Sequence, residues 1–378
     1  MSTVDAFRVR LPAYFTELRE LVAIETPTGH EANARRAAAW LGERLSLFGE
    51  LEQENLAGYG PLLRLRRPGS GPRVMLVGHL DTVWPVGSWP DLWHEADGAV
   101  SGPGVYDMKG GLLFMVELLR WLDGAGIEHP SLEIVINPDE EVGSQASRHR
   151  IREIAASCDA ALVLEPTTRD GVVKVARKGS GEVVLTVRGR SAHQGVEPEL
   201  GVNAVVEAAH QVIRLLELQD LAAGTTIGPN VIAAGSASNV VPDLARVEID
   251  VRAWTAAEQR RLDTGLAALT PVLDGARLEL GGGWNRPPME ATPASMALFE
   301  RARRLGVGLG LDLRAARWGG SSDGNLTAAV GTPTLDGLGP VGEGSHQRSE
   351  AILVDAVPCR IALLAELVAS LVELPRAV

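Results

Sequence analysis

Hydrophobic positions in the first half of the chain form short apolar runs that alternate with a helical pattern. The runs at 73–78, 132–137 and 160–164 predict buried strands. Between the first two runs, the segment GGLLFMVELLRWLDGAG predicts a helix that ends at Gly124 and Gly126. Strands that alternate with helices are typical of an α/β fold, so we expect a mostly parallel sheet in this half.

The middle of the chain has a different pattern. Polar and apolar residues alternate strictly in GEVVLTVRG and ARVEIDVRAW, which predicts strands that are covered on one face only. A helix near 256–270 is predicted to precede a further strand, ARLEL, so the order of elements indicates a small split β-α-β sandwich. The segment GVNAVVEAAHQVIRLLELQ predicts an amphipathic helix between the two strands, with one apolar stripe formed by Val202, Val205, Val206, Ala209, Ile213 and Leu216.

The chain is long enough for more than one hydrophobic core, since it has 378 residues. The Pro-rich segment WNRPPMEATP marks a boundary near residue 288, after which helical and strand patterns resume. We therefore predict an α/β domain formed by residues 1–178 and 289–378. An inserted α+β domain of the ferredoxin-like type is predicted at 179–288.

Composition narrows the possible partners and compartments. The formal net charge is −12 and no basic cluster stands out, which argues against nucleic acid or an anionic membrane as a partner. The N-terminal segment has an amphipathic pattern with acids and lacks the pattern of a signal peptide, and no apolar stretch approaches ~18 residues. Cys158 and Cys359 are the two cysteines and neither belongs to a CxxC pattern. We expect a cytoplasmic protein in a reducing compartment.

Candidate chemistry follows the ends of the predicted strands. His79 and Asp81 come directly after the run at 73–78, and on an extended chain they share one face. Further histidine and carboxylate side chains follow other strands or turns: Asp107, Glu140, Glu141, Glu165 and His346. Any one of them alone is more typical of a hydrogen-bonded strand end or a solvated loop. Together, beyond the carboxyl ends of parallel strands, the carboxylates would repel one another unless a cation held them. Such a ligand set suits Zn²⁺ and tolerates Co²⁺ or Mn²⁺.

Several motifs occur in a fixed order along nearly the whole chain. They are GHLDTVWP, GPGVYDMKGG, DEEVGS, LEPT, GRSAHQGVEPELGVNAV, NVVPDLARVEIDVR and GSHQRSE. In this order they resemble the di-zinc hydrolase family that includes acetylornithine deacetylase, succinyl-diaminopimelate desuccinylase, aminoacylase and the glutamate carboxypeptidase of the carboxypeptidase G type. HLDTVWP, LEPT and PELGVNA are most similar to the glutamate carboxypeptidase branch.

The resemblance implies a co-catalytic site with two zinc ions in the α/β domain, which would be the catalytic domain. His79 and Glu165 would bind one ion, and Glu141 and His346 would bind the other. Asp107 would bridge both ions.

Two catalytic carboxylates are also implied. Asp81 would fix the imidazole of His79, and Glu140 would be the general base. The resemblance further implies a cis peptide bond between Asp107 and Met108. Many relatives carry Asp at the position of Met108, and methionine also occurs there.

The resemblance also implies residues that act on the substrate, a small peptide or N-acyl amino acid. His193 would come from the partner subunit and stabilise the oxyanion, which implies a homodimer formed through the inserted domain, with a closing motion of this lid. Arg252 would bind the free α-carboxylate with help from Asn239. Lys174 is placed at the substrate by its spacing, and Gly320 in the loop GGSSDG would lend backbone groups.

The expected reaction is hydrolysis of an amide bond next to a free α-carboxylate, with release of a C-terminal glutamate as the specific expectation. Deacylation of N-acyl amino acids and dipeptide hydrolysis stay open, because the side-chain pocket decides among them. Trp84, Trp89 and Trp93 either line the acyl pocket or serve as packing and loop anchors.

Two other functions are alternatives to zinc-dependent hydrolysis. GSSDG at 320–324 matches G-x-S-x-G, and Ser322, Asp336 and His346 follow in the order of a serine hydrolase. The preceding LRAARWGG is a poor buried strand, however, and this hypothesis leaves the acids unexplained. A homologue that only binds ligands would be expected to lack the base, whereas Glu140 is present.

Overall fold

The computed structural model describes residues 2–374 and divides the chain into two compact units. The first unit comprises the chain up to Val175, Ala291–Arg317 and the chain from Ser322 onward; the second comprises Ala176–Glu290 and Trp318–Ser321. The divisions near 175 and 290 fall close to the sequence-based boundaries, whereas the return of 318–321 to the second unit was not predicted. Within residues 2–374, no helix is long and apolar enough to cross a membrane.

Helices and strands are numbered here in chain order. The helices are α1 (Thr3–Val22), α2 (Glu31–Leu45), α3 (Gly110–Ala125), α4 (Arg148–Ala155), α5 (Ala204–Glu217), α6 (Ala256–Ala267), α7 (Pro293–Gly308), α8 (Asp323–Ala328) and α9 (Val357–Ser370). The strands are β1 (Glu50–Leu56), β2 (Gly60–Arg67), β3 (Arg73–His79), β4 (His94–Ala96), β5 (Ala99–Ser101), β6 (Ser131–Asn137), β7 (Ala160–Val163), β8 (Val173–Arg177), β9 (Gly179–Arg188), β10 (Ala192–His193), β11 (Thr226–Ala234), β12 (Val240–Val241), β13 (Leu244–Ala253), β14 (Arg277–Arg286), β15 (Ala315–Trp318), β16 (Thr334–Leu335), β17 (Gly342–Glu343) and β18 (Ala351–Leu353).

The central sheet of the first unit has the strand order β1-β2-β6-β3-β7-β16. β6, β3, β7 and β16 run parallel, while β1 and β2 add antiparallel strands at one edge. In the register, His79 lies opposite Asn137, and Val77 lies opposite Val163. The predicted mostly parallel α/β sheet is therefore confirmed, and β6, β3 and β7 all end at the same edge.

Both faces of this sheet are buried, which explains why its strands are apolar at consecutive positions. Leu76 and Ile134 belong to a core that also holds residues of α1, α3 and α9. Met75 and Val135 point into a second core together with residues of α4 and α8. Helix α3 is capped by Gly126, as the sequence predicted, whereas Gly124 lies inside the helix. Gly126 has a left-handed φ of 59°, a conformation that costs little energy only for glycine.

The second unit is an antiparallel sheet in the order β11-β13-β9-β14, with α5 and α6 packed on one face. Its elements follow the predicted order of strand, helix, strand, strand, helix, strand. The alternating pattern predicted that every second residue of β9 and β13 is buried. The buried face is indeed formed by these alternate residues: Val183, Leu185, Val187, Val247, Ile249 and Val251. Strands covered on one side only are therefore confirmed for this sheet.

The apolar stripe of α5 is the main difference between the predicted and the observed packing. Most of the stripe is exposed: Val205 by 40%, Val206 by 42%, Ile213 by 62% and Leu216 by 48%. The helix packs against the sheet through a different face, which includes Ala204, Ala208 and Leu215. The apolar stripe identified in the sequence is therefore mostly exposed in this chain and is not the face that packs on the sheet.

Hydrogen bonds explain how α5 can bury two polar side chains together with its apolar ones. The Glu207 carboxylate is buried and accepts hydrogen bonds from the backbone N–H groups of Val272 and Leu273, at 3.0 and 2.7 Å. The buried amide of Gln211 donates to the carbonyl of Thr270 at 2.9 Å. The Glu207 carboxylate and the Gln211 amide nitrogen therefore have partners, whereas Gln211 Oε1 has none among the described residues. Hydrophobic periodicity alone could not reveal this buried polar face.

Candidate metal centre

The strand ends of the first unit bring the predicted ligands to one edge of the sheet. His79 is the last residue of β3, which lies between β6 and β7. Glu140 and Glu141 form a short helical turn after β6, and Glu165 follows β7. Asp107 lies in the turn that leads into α3. Ligand sites of α/β sheets are typically formed at such an edge, and the sequence pattern anticipated this one.

Distances show that both oxygens of Asp107 face a histidine. His79 Nε2 lies 3.3 Å from Asp107 Oδ1 and 3.5 Å from Glu165 Oε1. On the other side, His346 Nε2 lies 3.5 Å from Asp107 Oδ2 and 3.0 Å from Glu141 Oε2. The structure thus brings together His79, Asp107, Glu141, Glu165 and His346, the residues named as metal ligands from the sequence.

Two sets of ligand atoms are compact enough to hold a metal ion. One nitrogen or oxygen atom from each of His79, Glu140 and Glu165 lies within 4.8 Å of the others, and the same holds for His79, Asp107 and Glu141. Glu140 therefore lies beside the same space as the predicted ligands, which is where a base acting on a bound water has to be.

The chemistry of these groups fits a divalent cation. Glu141 Oε1 is buried and has no hydrogen-bond partner among the described residues. Burial raises the pKa of the Glu141 carboxyl to about 7, although His346 donates a hydrogen bond to it. The hydrogen bond to Glu141 in turn raises the pKa of His346 to about 9. A metal ion would supply the missing partner of Glu141 Oε1, and imidazole nitrogens with carboxylate oxygens are a ligand set of zinc.

Asp81 holds the turn that carries the two glutamates. Its carboxylate accepts hydrogen bonds from the backbone N–H groups of Glu140 and Glu141, each at 3.1 Å, and from the hydroxyl of Thr28 at 2.7 Å. His79 Nδ1 lies 2.9 Å from the backbone carbonyl oxygen of Asp81 and 3.4 Å from its Oδ1. Asp81 thus orients His79 mainly through its main chain and the glutamates through its side chain, a division of roles that the sequence did not reveal.

The peptide bond between Asp107 and Met108 is cis, as the resemblance implied. The sulfur of Met108 accepts a hydrogen bond from the N–H of His79 at 3.3 Å. Gly78 makes this approach possible, because a Cβ there would lie 2.9 Å from the Met108 methyl group and 2.8 Å from a Leu112 methyl group. Met108 therefore packs directly beneath the end of β3.

Sequence reasoning missed Glu350, a fully buried carboxylate next to the site. Its Oε1 accepts hydrogen bonds from the backbone N–H groups of Tyr106 and Asp107, at 3.1 and 3.0 Å. Its Oε2 accepts a hydrogen bond from the Trp84 indole at 2.7 Å. The available signal was its place four residues after His346 in the motif GSHQRSE. Glu350 thus fixes the backbone of the predicted bridging ligand.

The tryptophans that follow β3 have anchoring contacts. Trp84 donates to Glu350, and its ring meets Trp89 edge-on with centroids 5.2 Å apart. Trp93 packs against Phe15 with centroids 6.3 Å apart. These contacts favour the loop-anchor alternative for Trp84 and packing for Trp93.

The predicted substrate residues Lys174 and Gly320 have local partners. Lys174, in the first unit, is buried, and its ammonium donates to the carbonyl of Pro166 at 2.9 Å. The carbonyl of Gly320, in the second unit, accepts a hydrogen bond from Arg177 at 3.0 Å. In each case the structure gives a structural contact for a residue assigned to the substrate.

His193 and Asn239 lie close together in the second unit. They are brought together by the short pair β10 and β12, in which the N–H of Gln194 donates to the carbonyl of Asn239 at 2.9 Å. The His193 side chain is exposed, and its Nδ1 accepts a hydrogen bond from the N–H of Gly195 at 3.2 Å.

Arg252 has a carboxylate partner in the same strand. Its Nε and one terminal nitrogen form a fork with both oxygens of Asp250, at 2.9 and 2.8 Å. The residue thus already has the bidentate geometry with which arginine binds carboxylates, although here the carboxylate is that of Asp250.

The serine-hydrolase alternative is incompatible with the contacts of Ser322. Its hydroxyl donates to Asp336 Oδ2 at 2.5 Å and accepts a hydrogen bond from the N–H of Gly324, so that it caps α8. The residue is fully buried. His346, the histidine this alternative requires, contacts Glu141 and Asp107 instead.

An α/β sheet whose strand ends gather two histidines and several carboxylates defines the class of metal-dependent hydrolases. Comparison with known families agrees: residues 75–370 match peptidase family M20/M25/M40, and the chain belongs to this family. It is therefore a hydrolase of a metal-dependent family in which zinc is the typical ion.

Curated relatives of this chain differ in their reactions. Carboxypeptidase G2 of Pseudomonas sp. (strain RS-16) is 29% identical over 95% of this chain and 89% of its own length. Succinyl-diaminopimelate desuccinylase of Dechloromonas aromatica is 29% identical over 78% of this chain and 82% of its own length. Among solved structures, aminopeptidase PepT of Bacillus cereus has a TM-score of 0.78 at 24% identity and covers 95% of this chain and 98% of that one. The last similarity establishes the fold alone.

Proposed function

We propose that this protein is a di-zinc amidohydrolase that cleaves the amide bond of an N-acyl amino acid or peptide with a free α-carboxylate. The specific reaction is the release of a C-terminal glutamate. The observation that carries the proposal is the position of Asp107, with one oxygen toward His79 and the other toward His346. Similarity to carboxypeptidase G2 along 95% of the chain supports glutamate as the released residue.

His79 and Glu165 would hold one zinc ion, Glu141 and His346 would hold the other, and Asp107 would be the shared ligand. Co²⁺ or Mn²⁺ are possible substitutes, because they accept the same nitrogen and oxygen ligands. Bound there, the metal would lower the pKa of a water molecule and polarise the scissile carbonyl.

Glu140 is the general base of this reaction. One of its carboxylate oxygens takes the proton from the attacking water and then delivers it to the nitrogen of the leaving amine. Its backbone N–H is held by Asp81, which keeps the side chain at the site while the neighbouring Glu141 serves as a ligand. A variant with Ala at position 140 therefore loses turnover and keeps its zinc.

Arg252 recognises the α-carboxylate of the substrate, assisted by Asn239. Lys174 and the backbone at Gly320 would contact other parts of the substrate. The fork that Arg252 forms with Asp250 has the geometry this role requires. The substrate carboxylate then competes with Asp250 for the guanidinium group. Arg252→Ala should raise KM far more for substrates with a free α-carboxylate than for their amides.

Two copies of the chain form a homodimer through their inserted domains. Two features of the second unit support a homodimer: the exposed apolar stripe of α5, and β11, which lies at the edge of its sheet with Val231 exposed by 51% and Ile232 by 54%. Such surfaces are typical of interfaces between chains. In the dimer, His193 of the partner subunit donates a hydrogen bond to the oxyanion.

A second candidate function is N-acyl amino acid deacylation, of the acetylornithine or succinyl-diaminopimelate type. The observation that favours it is the similarity to succinyl-diaminopimelate desuccinylase over 78% of the chain. The metal centre and base would be the same in both reactions, and only the recognised amino acid would differ.

A panel assay of amine release by the zinc-loaded protein tests the proposal. The panel contains N-acyl-glutamates, a folate, N-acetylornithine, succinyl-diaminopimelate and dipeptides, each with and without a chelator. We expect chelator-sensitive release of glutamate. Preference for N-acetylornithine or succinyl-diaminopimelate would favour the second candidate, and release that ignores the chelator would contradict both.

A further inference from the structure

A cavity of about 630 Å³ opens beside the metal centre, within the first unit. It is lined by residues 27–30, 82–86 and 141–142, and Glu141 therefore belongs both to its wall and to the predicted ligands. None of the roles described above uses this space. Because Glu141 is shared, a group attached to a carbonyl at the metal centre would have this space beside it.

The wall of the cavity is mainly apolar and unusually exposed. Val83 is exposed by 37%, Val86 by 50% and Val142 by 39%. Pro27 and Pro85 add further apolar surface. Exposed apolar side chains that surround a concave space beside polar catalytic groups are the usual composition of a small-molecule site.

Charge around the cavity disfavours an anionic occupant. Among the described residues that line it there is no lysine or arginine. His30 is the one imidazole among these described residues, and its Nδ1 accepts a hydrogen bond from the N–H of Asn33 at 3.3 Å; the one carboxylate among them, Glu141, is assigned to the metal. A second carboxylate lies next to the segment that carries Val86, because Glu25 Oε1 accepts a hydrogen bond from the N–H of Gly87 at 2.9 Å. A carboxylate at the far end of an acyl group would thus lose water without gaining a lysine or arginine as a partner.

Main-chain hydrogen bonds join two of the segments that line the cavity. The N–H of Thr28 donates to the carbonyl of Thr82 at 3.2 Å, and the N–H of Thr82 donates to the carbonyl of Thr26 at 2.8 Å. The hydroxyl of Thr28 donates to Asp81, which also holds the glutamate turn. The cavity is therefore built in fixed register with the predicted catalytic groups, so binding there requires little ordering of the chain.

We propose that this cavity binds the acyl side of the substrate and selects neutral apolar acyl groups, aliphatic or aromatic, over dicarboxylic ones such as succinyl. This inference rests on the proposed amidohydrolase function and specifies its substrate class. Val86, at the mouth of the cavity, is a residue that determines specificity and takes no part in bond cleavage.

Val86→Arg tests the selection by charge. The specificity constant kcat/KM is measured for N-hexanoyl-glutamate and N-succinyl-glutamate, which carry the amino acid named in the proposed function. The wild type should favour the hexanoyl compound by at least about tenfold, and Val86→Arg should lower this ratio by at least about tenfold, because the new cation pairs with the succinyl carboxylate. Val307→Arg on α7 is the control, since Val307 is exposed by 68% outside the cavity; it should leave the ratio unchanged.

A binding measurement separates this inference from the proposed function. Zinc-loaded Glu140→Gln protein, with and without Val86→Arg, is titrated with the same two compounds in a calorimeter, and the ratio of their dissociation constants should change in Val86→Arg as the kinetic ratio does. Unchanged ratios in Val86→Arg would overturn the cavity assignment even if the amides are hydrolysed. Normal selection in the calorimeter together with no hydrolysis of any amide would leave the cavity supported and remove the proposed reaction.

Discussion

At the scale of single residues, the site depends on carboxylates that orient backbone groups as much as on those that face the metal space. Asp81 accepts the N–H groups of Glu140 and Glu141, and Glu350 accepts those of Tyr106 and Asp107. Residues that hydrogen-bond to metal ligands commonly change the metal affinity when they are substituted.

Glu350→Gln should weaken zinc binding by about 10- to 100-fold. The glutamine oxygen still accepts from the backbone, but its NH₂ group then faces the N–H of the Trp84 indole, so two donors oppose each other. Adding Trp84→Phe removes one donor and should restore part of the affinity. Zinc affinity is measured by competition with a chelator, and Glu343→Gln, at an exposed residue, is the control.

The rescue distinguishes positioning from a general loss of stability. If the double variant binds zinc no better than Glu350→Gln alone, the contact between Glu350 and Trp84 does not act on the metal centre. Full zinc affinity in Glu350→Gln would remove Glu350 from the account.

Glu140→Gln should lower kcat by about 10²- to 10⁴-fold while the zinc content stays normal, because a base is lost and a ligand is not. Glu141→Gln is the matched neighbour, and it should lose zinc as well as activity. Zinc content by mass spectrometry and amine release are measured on the same samples. A near-normal kcat in Glu140→Gln would show that another group moves the proton.

The sequence could predict which residues meet at the site but not how each is held. His79, Asp107, Glu141, Glu165 and His346 follow strands or turns in recognisable motifs, and the parallel sheet brings them together. Glu350 accepts hydrogen bonds from backbone groups far away in the chain, and Thr28 donates one to Asp81. Apart from the place of Glu350 in the motif GSHQRSE, nothing in the local sequence marks either role.

At the scale of elements, strands were predicted well because burial and periodicity agree in them. β3 and β6 are apolar on both faces, and β9 and β13 alternate, as sheets covered on two faces and on one face require. Helix α5 is the exception, because its most apolar stripe is exposed and its buried face includes Glu207 and Gln211.

Ile213→Glu tests the meaning of the exposed stripe. If α5 contributes to a homodimer, a carboxylate at this position should shift the protein to monomers, because it would be buried without a partner. Mass is measured by light scattering after size exclusion, with Val307→Glu on α7 as the control. A wild type that is monomeric at micromolar concentration, or a variant that remains a dimer, would contradict the interface.

Glu207→Gln tests the buried face of α5. Burial tends to raise the pKa of Glu207, but hydrogen bonds from Leu273, Gln211 and Val272 lower it overall. A lowered pKa in the folded state stabilises the protein above the unfolded value of 4.5, and this contribution is lost as the pH falls through the folded pKa. Glu207→Gln should therefore lower the free energy of unfolding by about 1–3 kcal/mol at pH 7, with a smaller difference near pH 3.

Urea unfolding at the two pH values measures this effect, and Glu217→Gln on the exposed side of the same helix is the control. Equal destabilisation at both pH values would mean that packing, and not the charge on the carboxylate, accounts for the role of Glu207.

At the scale of the whole molecule, two units with different sheets belong to a chain that matches one peptidase family over residues 75–370. The first unit contains all the predicted metal ligands, and the second contains His193, Asn239 and Arg252. Sequence periodicity predicted both architectures. It could not predict that 318–321 returns to the second unit, because this short segment lacks a periodic pattern.

The most direct test of the account is a zinc titration of chelator-treated protein in which bound zinc and release of glutamate from an N-acyl-glutamate are followed together. The account predicts that no activity remains without metal, that two zinc ions bind per chain, and that activity returns as these sites fill. Full activity in protein shown to be free of metal would contradict the assignment of His79, Asp107, Glu141, Glu165 and His346 as the catalytic metal centre.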